Sequence, residues 1–459
     1  MEIKIERNKA HETFTGFGAS GAWWAQIVGG WEHTDEQSGM AVRDRISQLL
    51  YDPQKGIGLN IYRYNIGAGS KYSSNGYYSE PARRTESFLI GGGKLDMTRD
   101  ANAVYMMRRA VQDGADEVIL FVNSPPVQMT KNGGAHQDKH KLFRENLSRK
   151  QYTAFADYCL DVAEYFMDEG LPVRYLSPIN EPTWAWNGGQ EGCFYRPDSV
   201  HRLFSVFVQR MMQRPKLANL KLSGVEIGDL RFFNKTYTHA LLSDPVIRGH
   251  VDAVDVHSYC QPIPLPVLGK VPALGDRLAF ARRFRRFMDE QYPSVPIKVS
   301  EWTHMQGGRD RGMDSALVTA NTIMDDLTIL RAVSWQHWIA VSEVDYCDGL
   351  IYIDLYRKTF ETTKRLYATG NFSKYIRPGA RRLACETADP ELKAICYQVE
   401  DKTVVVVINN AGRAGSLTLP TDGMVLHALT DETHDLSETE HTGTADFVLP
   451  PRSVNTFVF

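Results

Sequence analysis

The chain has 459 residues, of which 43% are hydrophobic and 23% are charged, a balance typical of globular proteins rather than disordered or fibrous ones. Its 52 basic and 55 acidic residues give a net charge of −3, which argues against a nucleic-acid or anionic-membrane partner, since both attract basic proteins. Six cysteines are too few for a disulfide scaffold, and no apolar stretch approaches the roughly 20 residues of a membrane span. Because the N-terminus lacks a signal-peptide pattern, we expect a cytoplasmic protein, or a secreted one if a leader was removed.

Eight short apolar segments have the length of β-strands, and each ends in polar or turn residues. They lie at residues 14–17, 59–65, 118–122, 173–177, 221–225, 253–256, 297–300 and 333–338.

Stripes of apolar residues at helical spacing lie between several of these segments, and Asp198 is the predicted N-cap of the second stripe. Strands that alternate with helices predict parallel βα units. Eight units in about 360 residues fit a (β/α)8 TIM barrel of the α/β class with enlarged loops. The stripes lie at residues 152–166, 200–211 and 280–287.

The pattern changes after about residue 375, where short strands separated by turn residues follow one another without strong helical stripes. These strands predict a small antiparallel β-sandwich, and the alternation in residues 2–6 places the N-terminal strand in the same unit. We therefore predict a catalytic barrel over residues 13–372 and a sandwich over residues 1–12 plus 373–459. The predicted sandwich strands are residues 403–408, 416–419, 446–449 and 454–459.

Two glutamates lie at predicted strand ends, where barrel enzymes place their reacting groups. Glu181 follows the fourth predicted strand and Glu301 follows the seventh, so the two side chains are expected to face each other across the barrel mouth. A single glutamate is more often an ordinary ion-paired residue, but a facing pair beside aromatic residues favours a site. Facing carboxylates about 5–5.5 Å apart are what retaining glycoside hydrolysis requires.

Other strand ends contribute polar and aromatic side chains to the same predicted site. Arg63 ends the second strand, and we expect it to keep Glu301 ionised with a low pKa. Asn180, beside Glu181, can hold a sugar hydroxyl. Tryptophan rings suit the faces of sugars, although packing in the barrel core is the alternative for at least one ring of each pair. The further candidates are His257, Tyr259, Trp335 and Trp338, with Trp24 after the first strand.

The chain resembles glycoside hydrolase family 30, a family of retaining barrel glycosidases. Residues 177–182 are similar to its acid/base motif, residues 299–302 to its nucleophile strand, and residues 370–379 to the segment that joins barrel and sandwich. The resemblance implies that Glu181 is the acid/base and Glu301 the nucleophile. It also implies that the subsite of the reacting sugar is lined by Arg63, Asn180, Tyr259 and Trp338.

Within the family, residues 18–25, 92–101 and 190–193 resemble the β-1,6-galactanase-like branch. One departure is Gln128, which stands before Met129 where the family usually has an aromatic residue, so the floor of the sugar subsite is expected to differ. We expect hydrolysis of β-linked oligosaccharides, with β-1,6-linked galactosides as candidates and short units as products. The alternatives within the family are β-glucosidase, β-xylosidase, β-fucosidase and β-glucuronidase activity.

Three competing interpretations remain. Residues 16–21 fit a dinucleotide-binding glycine pattern, but the acidic residues at the required spacing fall in a polar stretch rather than a strand. His136 and His140 have the spacing of zinc peptidases, but the sequence lacks the glutamate that would act as base. We therefore expect no cofactor and no metal. The third alternative is a catalytically silent carbohydrate-binding protein.

Overall fold

The structure is a computed structural model that describes residues 3–73, 81–138, 140–141, 143–231, 233–260, 263–265, 269–271, 276–387, 389, 391–421 and 423–459. Glu2 of the predicted first strand lies outside the described residues.

Eight parallel strands close into a barrel, which confirms the predicted fold. The closure is made by the last barrel strand, which pairs with both the first and the seventh. The described strands up to residue 362 are β1 (Lys4–Thr13), β2 (Gly16–Ser20), β3 (Ile61–Asn65), β4 (Glu117–Phe121), β5 (Val173–Ser177), β6 (Lys221–Ile227), β7 (Val251–His257), β8 (Ile263–Leu265), β9 (Gly269–Val271), β10 (Ile297–Trp302), β11 (Ala332–Ser342), β12 (Gly349–Asp354) and β13 (Thr359–Thr362). Strands β2–β7, β10 and β11 form the barrel, β8 and β9 form a hairpin, and β12 and β13 extend the sheet outward from β11.

Helices cover the outside of the barrel. They are α1 (Trp24–Val28), α2 (Val42–Tyr51), α3 (Ala101–Asp113), α4 (Tyr152–Asp168), α5 (Pro197–Met211), α6 (Asn234–Leu242), α7 (Pro245–His250), α8 (Arg277–Gln291), α9 (Met313–Asp325) and α10 (Lys364–Ser373). The predicted cap of α5 was wrong: Arg196 occupies the N-cap position, and Asp198 lies inside the first turn. Pro197 explains the earlier start, because proline needs no hydrogen-bond acceptor at the first helical position.

The C-terminal strands form an antiparallel sheet, as predicted. They are β14 (Arg381–Glu386), β15 (Leu392–Val399), β16 (Lys402–Asn409), β17 (Gly415–Thr418), β18 (Met424–Thr430), β19 (Ser437–Thr442), β20 (Asp446–Leu449) and β21 (Ser453–Val458). Seven strands form one sheet in the order β1-β14-β15-β16-β21-β18-β19, while β17 pairs with β20. The two layers share an apolar core that includes Ile3, Val405 and Phe447. The N-terminal strand therefore belongs to this unit.

The barrel and the antiparallel sheet are joined by buried polar contacts from α10. The Asn371 side-chain amide donates to the Ala428 carbonyl at 3.1 Å and to the Thr456 hydroxyl at 3.0 Å, and that hydroxyl donates back to the Asn371 carbonyl at 2.7 Å. Apolar side chains of the C-terminal sheet, including Val404, Val406 and Val454, also belong to the same core cluster as the barrel. Within the described part of the chain, no helix combines the length and apolar character needed to cross a membrane.

Candidate active site

Five charged side chains meet at the carboxyl end of the barrel. Because all eight strands run in the same direction, their carboxyl ends form a single rim. Arg63 lies on β3, Glu226 near the end of β6, His257 at the end of β7 and Glu301 on β10, while Glu181 follows β5 by four residues. All five side chains are buried. The structure thus brings together four residues predicted from the sequence and one, Glu226, that sequence reasoning missed.

Glu301 is held by two donors. Arg63 Nη1 donates to its Oε2 at 2.9 Å, and the Tyr259 hydroxyl donates to its Oε1 at 3.3 Å. Burial raises the pKa of Glu301 to about 7; the charges of Glu181 and Glu226 add to this rise, while His257 and Arg63 oppose it. The expectation of a low pKa was wrong, because Arg63 does not outweigh desolvation together with two neighbouring carboxylates.

Glu181 has an unusual backbone conformation that several contacts support. Its φ is 44°, in the left-handed region where residues with a Cβ are strained. The backbone N–H donates to the Glu226 carbonyl at 3.0 Å, and the Trp186 indole donates to the Glu181 carbonyl at 3.0 Å. His257 Nδ1 lies 2.9 Å from Glu181 Oε1. Carboxyl oxygens of Glu181 and Glu301 lie within 4.8 Å of each other.

His257 lies behind the two predicted catalytic carboxyl groups and has no exposed surface. Its Nδ1 contacts Glu181, and its Nε2 lies 3.0 Å from Glu226 Oε2. Burial lowers the pKa of the imidazole, but the charge of Glu301 and the hydrogen bonds to Glu181 and Glu226 outweigh burial and raise it to about 10. His257 is therefore an imidazolium that donates from both nitrogens.

Glu226 is completely buried, and its carboxylate accepts from Arg63 Nη2, from His257 and from the Ser300 hydroxyl at 3.3 Å. Burial acts to raise its pKa, but Arg63 and His257 outweigh burial and lower it to about 2. The only sequence signal was an acidic residue directly after the predicted strand 221–225, which the observed strand extends to Ile227.

Three residues of the same cluster lie close enough together to hold a metal ion. Glu181, His257 and Glu301 each offer a ligand atom within 4.8 Å of the others. However, an imidazolium has no lone pair to give to a metal, because both ring nitrogens carry protons. Arg63 adds a second positive charge beside Glu301. In this protonation state the cluster is suited to holding and moving protons.

A cleft of about 440 Å³ opens above the two glutamates. Three of the predicted sugar-binding residues, Asn180, Tyr259 and Trp338, lie on its wall beside Glu181 and Glu301. Loop residues complete the lining, and among them Trp184 and Met305 are 40% and 42% exposed. The loop contribution to the lining, which the sequence did not predict, consists of Trp184, Ala185, Trp186, Asn187, Gly188, Gln190, Gly228 and Met305.

Five predicted sugar-binding residues do not line the cleft. Two of them, Arg63 and His257, are completely buried and bind the carboxyl groups of Glu301 and Glu181 from within the barrel. Trp24 and Trp335 are completely buried. The Trp24 indole donates to the Ser20 carbonyl at 2.8 Å, and the Trp335 indole donates to Asp326 at 3.1 Å. Their rings pack in the core, the alternative considered for such residues. Gln128 is exposed, and its amide donates to the Leu89 carbonyl at 3.1 Å.

The glycine pattern of residues 16–21 and the pair of His136 and His140, which suggested a dinucleotide site and a zinc site, are not among the residues that line the cleft. Residues 16–20 form barrel strand β2, and a Cβ at Gly18 would lie 2.7 Å from Ile61, so this glycine permits close packing of β2 and β3. His136 is buried with Nδ1 2.9 Å from the Gln137 carbonyl, while His140 is exposed, so the two rings have different environments.

A barrel with two adjacent buried carboxyl groups beneath a polar and aromatic cleft is the architecture of a glycoside hydrolase. Comparison with known proteins agrees. The sequence profile of O-Glycosyl hydrolase family 30 matches residues 1–242 and 297–352, more than half of the chain. The chain therefore belongs to glycoside hydrolase family 30, and the resemblance seen in its motifs is confirmed.

Individual relatives are similar over most of the chain. An endo-beta-1,6-galactanase of Hypocrea rufa is 23% identical over 441 residues, covering 91% of this chain and 82% of the galactanase. A conserved exported protein from Bacteroides fragilis superposes with a TM-score of 0.85 at 23% identity, with 100% of both chains covered. The catalytic domain of GH30 xylanase C from Talaromyces cellulolyticus gives 0.74 at 18% identity, covering 100% and 99%. The prediction of a cytoplasmic location gains no support, since one of these similar proteins is described as exported.

Gly228 provides a test of the site geometry. A Cβ at this position would lie 2.4 Å from Glu181 Oε1 and 2.4 Å from Trp184 Nε1, so Gly228→Ala must displace the Glu181 carboxyl group. We expect hydrolysis of an aryl β-glycoside to fall by about 100-fold, the effect of a displacement of about 1 Å in a reacting group. The control is Gly249→Ala in α7, where nothing lies within 4 Å of the added Cβ. Equal activity of both variants would contradict the geometry.

Proposed function

We propose that the protein is a retaining β-glycoside hydrolase that acts on β-linked oligosaccharides, with β-1,6-linked galactosides as the first candidate substrate. The observation that carries this proposal is the distance within 4.8 Å between carboxyl oxygens of Glu181 and Glu301. Retaining enzymes hold their carboxyl groups about 5–5.5 Å apart, whereas inverting enzymes leave about 6.5–9.5 Å for a water molecule. The observed spacing favours direct attack on the sugar.

Glu301 is the proposed nucleophile. Its carboxylate attacks the anomeric carbon, the bond to the leaving oxygen breaks, and a glycosyl ester forms. Arg63 and Tyr259 bind different oxygens of the carboxylate, so its plane is fixed toward the cleft. Since the attack needs the ionised group, the proton that the raised pKa of Glu301 keeps on the pair near neutral pH must lie on Glu181 when the sugar reacts.

Glu181 is the proposed acid/base. It gives its proton to the leaving oxygen in the first step and removes a proton from the attacking water in the second. The catalytic pair therefore needs one proton at the start, on Glu181. The strained backbone, held by Glu226 and Trp186, places this carboxyl group beside Trp184 on the loop side of the cleft.

The cleft has two kinds of wall, and we assign a part of the substrate to each. Asn180, Tyr259 and Trp338 lie beside the two carboxyl groups and are suited to the reacting sugar. Trp184 and Met305 are partly exposed and are suited to the sugar face of the leaving part. The galactanase relative supports a β-1,6-linked galactoside, and release of short units is part of the proposal.

Hydrolysis of β-1,6-galactan, followed by proton NMR, tests substrate and stereochemistry together. We expect the β-anomer of the product first, with the α-anomer appearing later by mutarotation, because two displacements restore the configuration. An α-linked galacto-oligosaccharide serves as control and should remain intact. Initial release of the α-anomer would refute retention. Cleavage of another β-glycan but not of galactan would refute the substrate alone.

Azide distinguishes the roles of the two glutamates. Glu301→Ala should reduce turnover by at least about 10⁴-fold, since the reacting group is lost. Azide, which fits the space left by the carboxylate, should restore cleavage of an aryl β-glycoside and give an α-glycosyl azide. Glu181→Ala is the matched variant: azide should there intercept the glycosyl ester and give the β-glycosyl azide. Exchanged anomers would mean that the two roles are exchanged.

The pH dependence follows from Glu301. Its pKa is raised to about 7, so below that pH the pair of Glu181 and Glu301 holds the one proton that the reaction needs, and it loses this proton as the pH rises through about 7. We expect kcat/KM for an aryl β-glycoside to fall about tenfold for each pH unit above the midpoint, because no proton is then left for the leaving oxygen. Circular dichroism across the same range controls for unfolding. A flat profile between about pH 5 and pH 8 would contradict the raised pKa.

A further inference from the structure

We infer that Glu226 is a positioning residue for hydrolysis, which orients Glu181 through His257 and Glu301 through Arg63 without touching the substrate. This inference rests on the proposed catalytic roles of Glu181 and Glu301. Glu226 has no exposed surface and is absent from the lining of the cleft, so any effect on the reaction must pass through its neighbours.

A single oxygen of Glu226 connects both halves of the catalytic pair. Its Oε2 accepts from Arg63 Nη2 and, at 3.0 Å, from His257 Nε2. Each of these cations uses another nitrogen for a catalytic carboxyl group: Arg63 Nη1 binds Glu301 at 2.9 Å, and His257 Nδ1 binds Glu181 at 2.9 Å. The separation of the two catalytic groups is therefore fixed by two bridges that share one anchor.

Glu226 also holds the backbone of Glu181. The carbonyl of Glu226 accepts the Glu181 N–H at 3.0 Å. Both residues have a positive φ, 51° for Glu226 and 44° for Glu181, a conformation that persists only where the surroundings impose it. One residue thus supports Glu181 at its main chain and, through His257, at its carboxyl group.

The charges show why a carboxylate is needed at this position. His257 faces Glu181, Glu226 and Glu301, while Arg63 binds Glu226 and Glu301, and the ring centroid of Tyr259 lies 6.0 Å from that of the imidazole. During the reaction Glu181 gains and loses a proton and Glu301 becomes an uncharged ester. Glu226 alone stays ionised, because its pKa lies at about 2. It is therefore the permanent counter-charge that keeps His257 a donor at both nitrogens through every step.

Replacing this carboxylate by an amide should change the protonation of His257. In Glu226→Gln the shape is kept, but the negative charge beside Nε2 is lost. The imidazolium then loses a stabilising partner inside a buried site, and its pKa should fall from about 10 toward the ordinary value of 6.5. A neutral ring has one N–H and cannot donate to both neighbours, and its bond to Glu181 is no longer strengthened by a positive charge, so the orientation of Glu181 is weakened.

The experiment combines ring-nitrogen NMR of His257 with steady-state kinetics. The His257 signal is assigned by its absence in His257→Gln. In the wild type we expect no titration between about pH 5 and pH 8, while in Glu226→Gln a midpoint should appear within that window. We also expect kcat to fall by about 10- to 100-fold, the usual cost of losing a partner that orients a reacting group, with KM little changed. The decrease should grow as the pH rises through the new midpoint.

Two further variants separate positioning from stability. Glu117→Gln removes a buried carboxylate from the first residue of β4, at the opposite end of the barrel, and should leave both the His257 titration and kcat unchanged. Glu226→Asp keeps the charge and should keep His257 protonated through about pH 8. An unchanged His257 titration or an unchanged kcat in Glu226→Gln would overturn the inference.

If Glu226→Gln does not fold, titration of His257 in the wild-type protein still tests the inference. Titration of its His257 near the ordinary 6.5 would show that Glu226 does not hold the ring protonated. The NMR measurement does not depend on activity. An error in the proposed roles would therefore appear in the azide experiment and leave the His257 titration as expected.

Discussion

Three buried carboxyl groups face two buried cations at the rim of the barrel, and the rest of the site depends on this imbalance. With Glu181, Glu226 and Glu301 all ionised, Arg63 and His257 leave one negative charge uncompensated among side chains that have little exposure to solvent. An uncompensated charge in such a place is costly, so the cluster readily takes up one proton. Retaining hydrolysis needs one proton on the catalytic pair, and the proposed reaction therefore begins from the charge state that burial favours.

Closure of the barrel makes this arrangement possible. The five charged residues are spread over more than two hundred positions of the chain, and only the parallel strands bring them to one rim. The closed sheet leaves little freedom at the strand ends, so it can hold Glu181 and Glu226 in left-handed conformations. Each such residue costs about 1–3 kcal/mol, which the surrounding packing must offset. Rigidity in the frame thus provides the orientation that the proposed chemistry requires.

The sequence predicted the features that follow from local pattern. Strands buried on both faces appear in the sequence as short apolar runs, so all eight barrel strands were predicted. Acidic residues after two of these runs identified Glu181 and Glu301 as candidates. Exposed edge strands such as β19 carry no such signal, because almost every residue of β19 faces solvent. Trp24 and Trp335 show a different limit: a tryptophan ring suits a core as well as a sugar, and only its burial distinguishes the two.

The remaining features depend on the combined electrostatic effect of residues that are distant in sequence. Desolvation and two carboxylates raise the pKa of Glu301, while two cations lower it. No single neighbour therefore predicts the direction of the pKa shift. Glu226 was missed for a related reason, since its importance comes from the four groups around it rather than from its own segment. The buried cluster is proposed to act on the glycosidic bond, which all β-glycosides have in common. The exposed wall around Trp184 and Met305, which is suited to contact the sugar itself, is formed by loops. Reaction and sugar preference are thus carried by separate layers of the molecule, so loops can change the substrate while the charge balance beneath them stays the same.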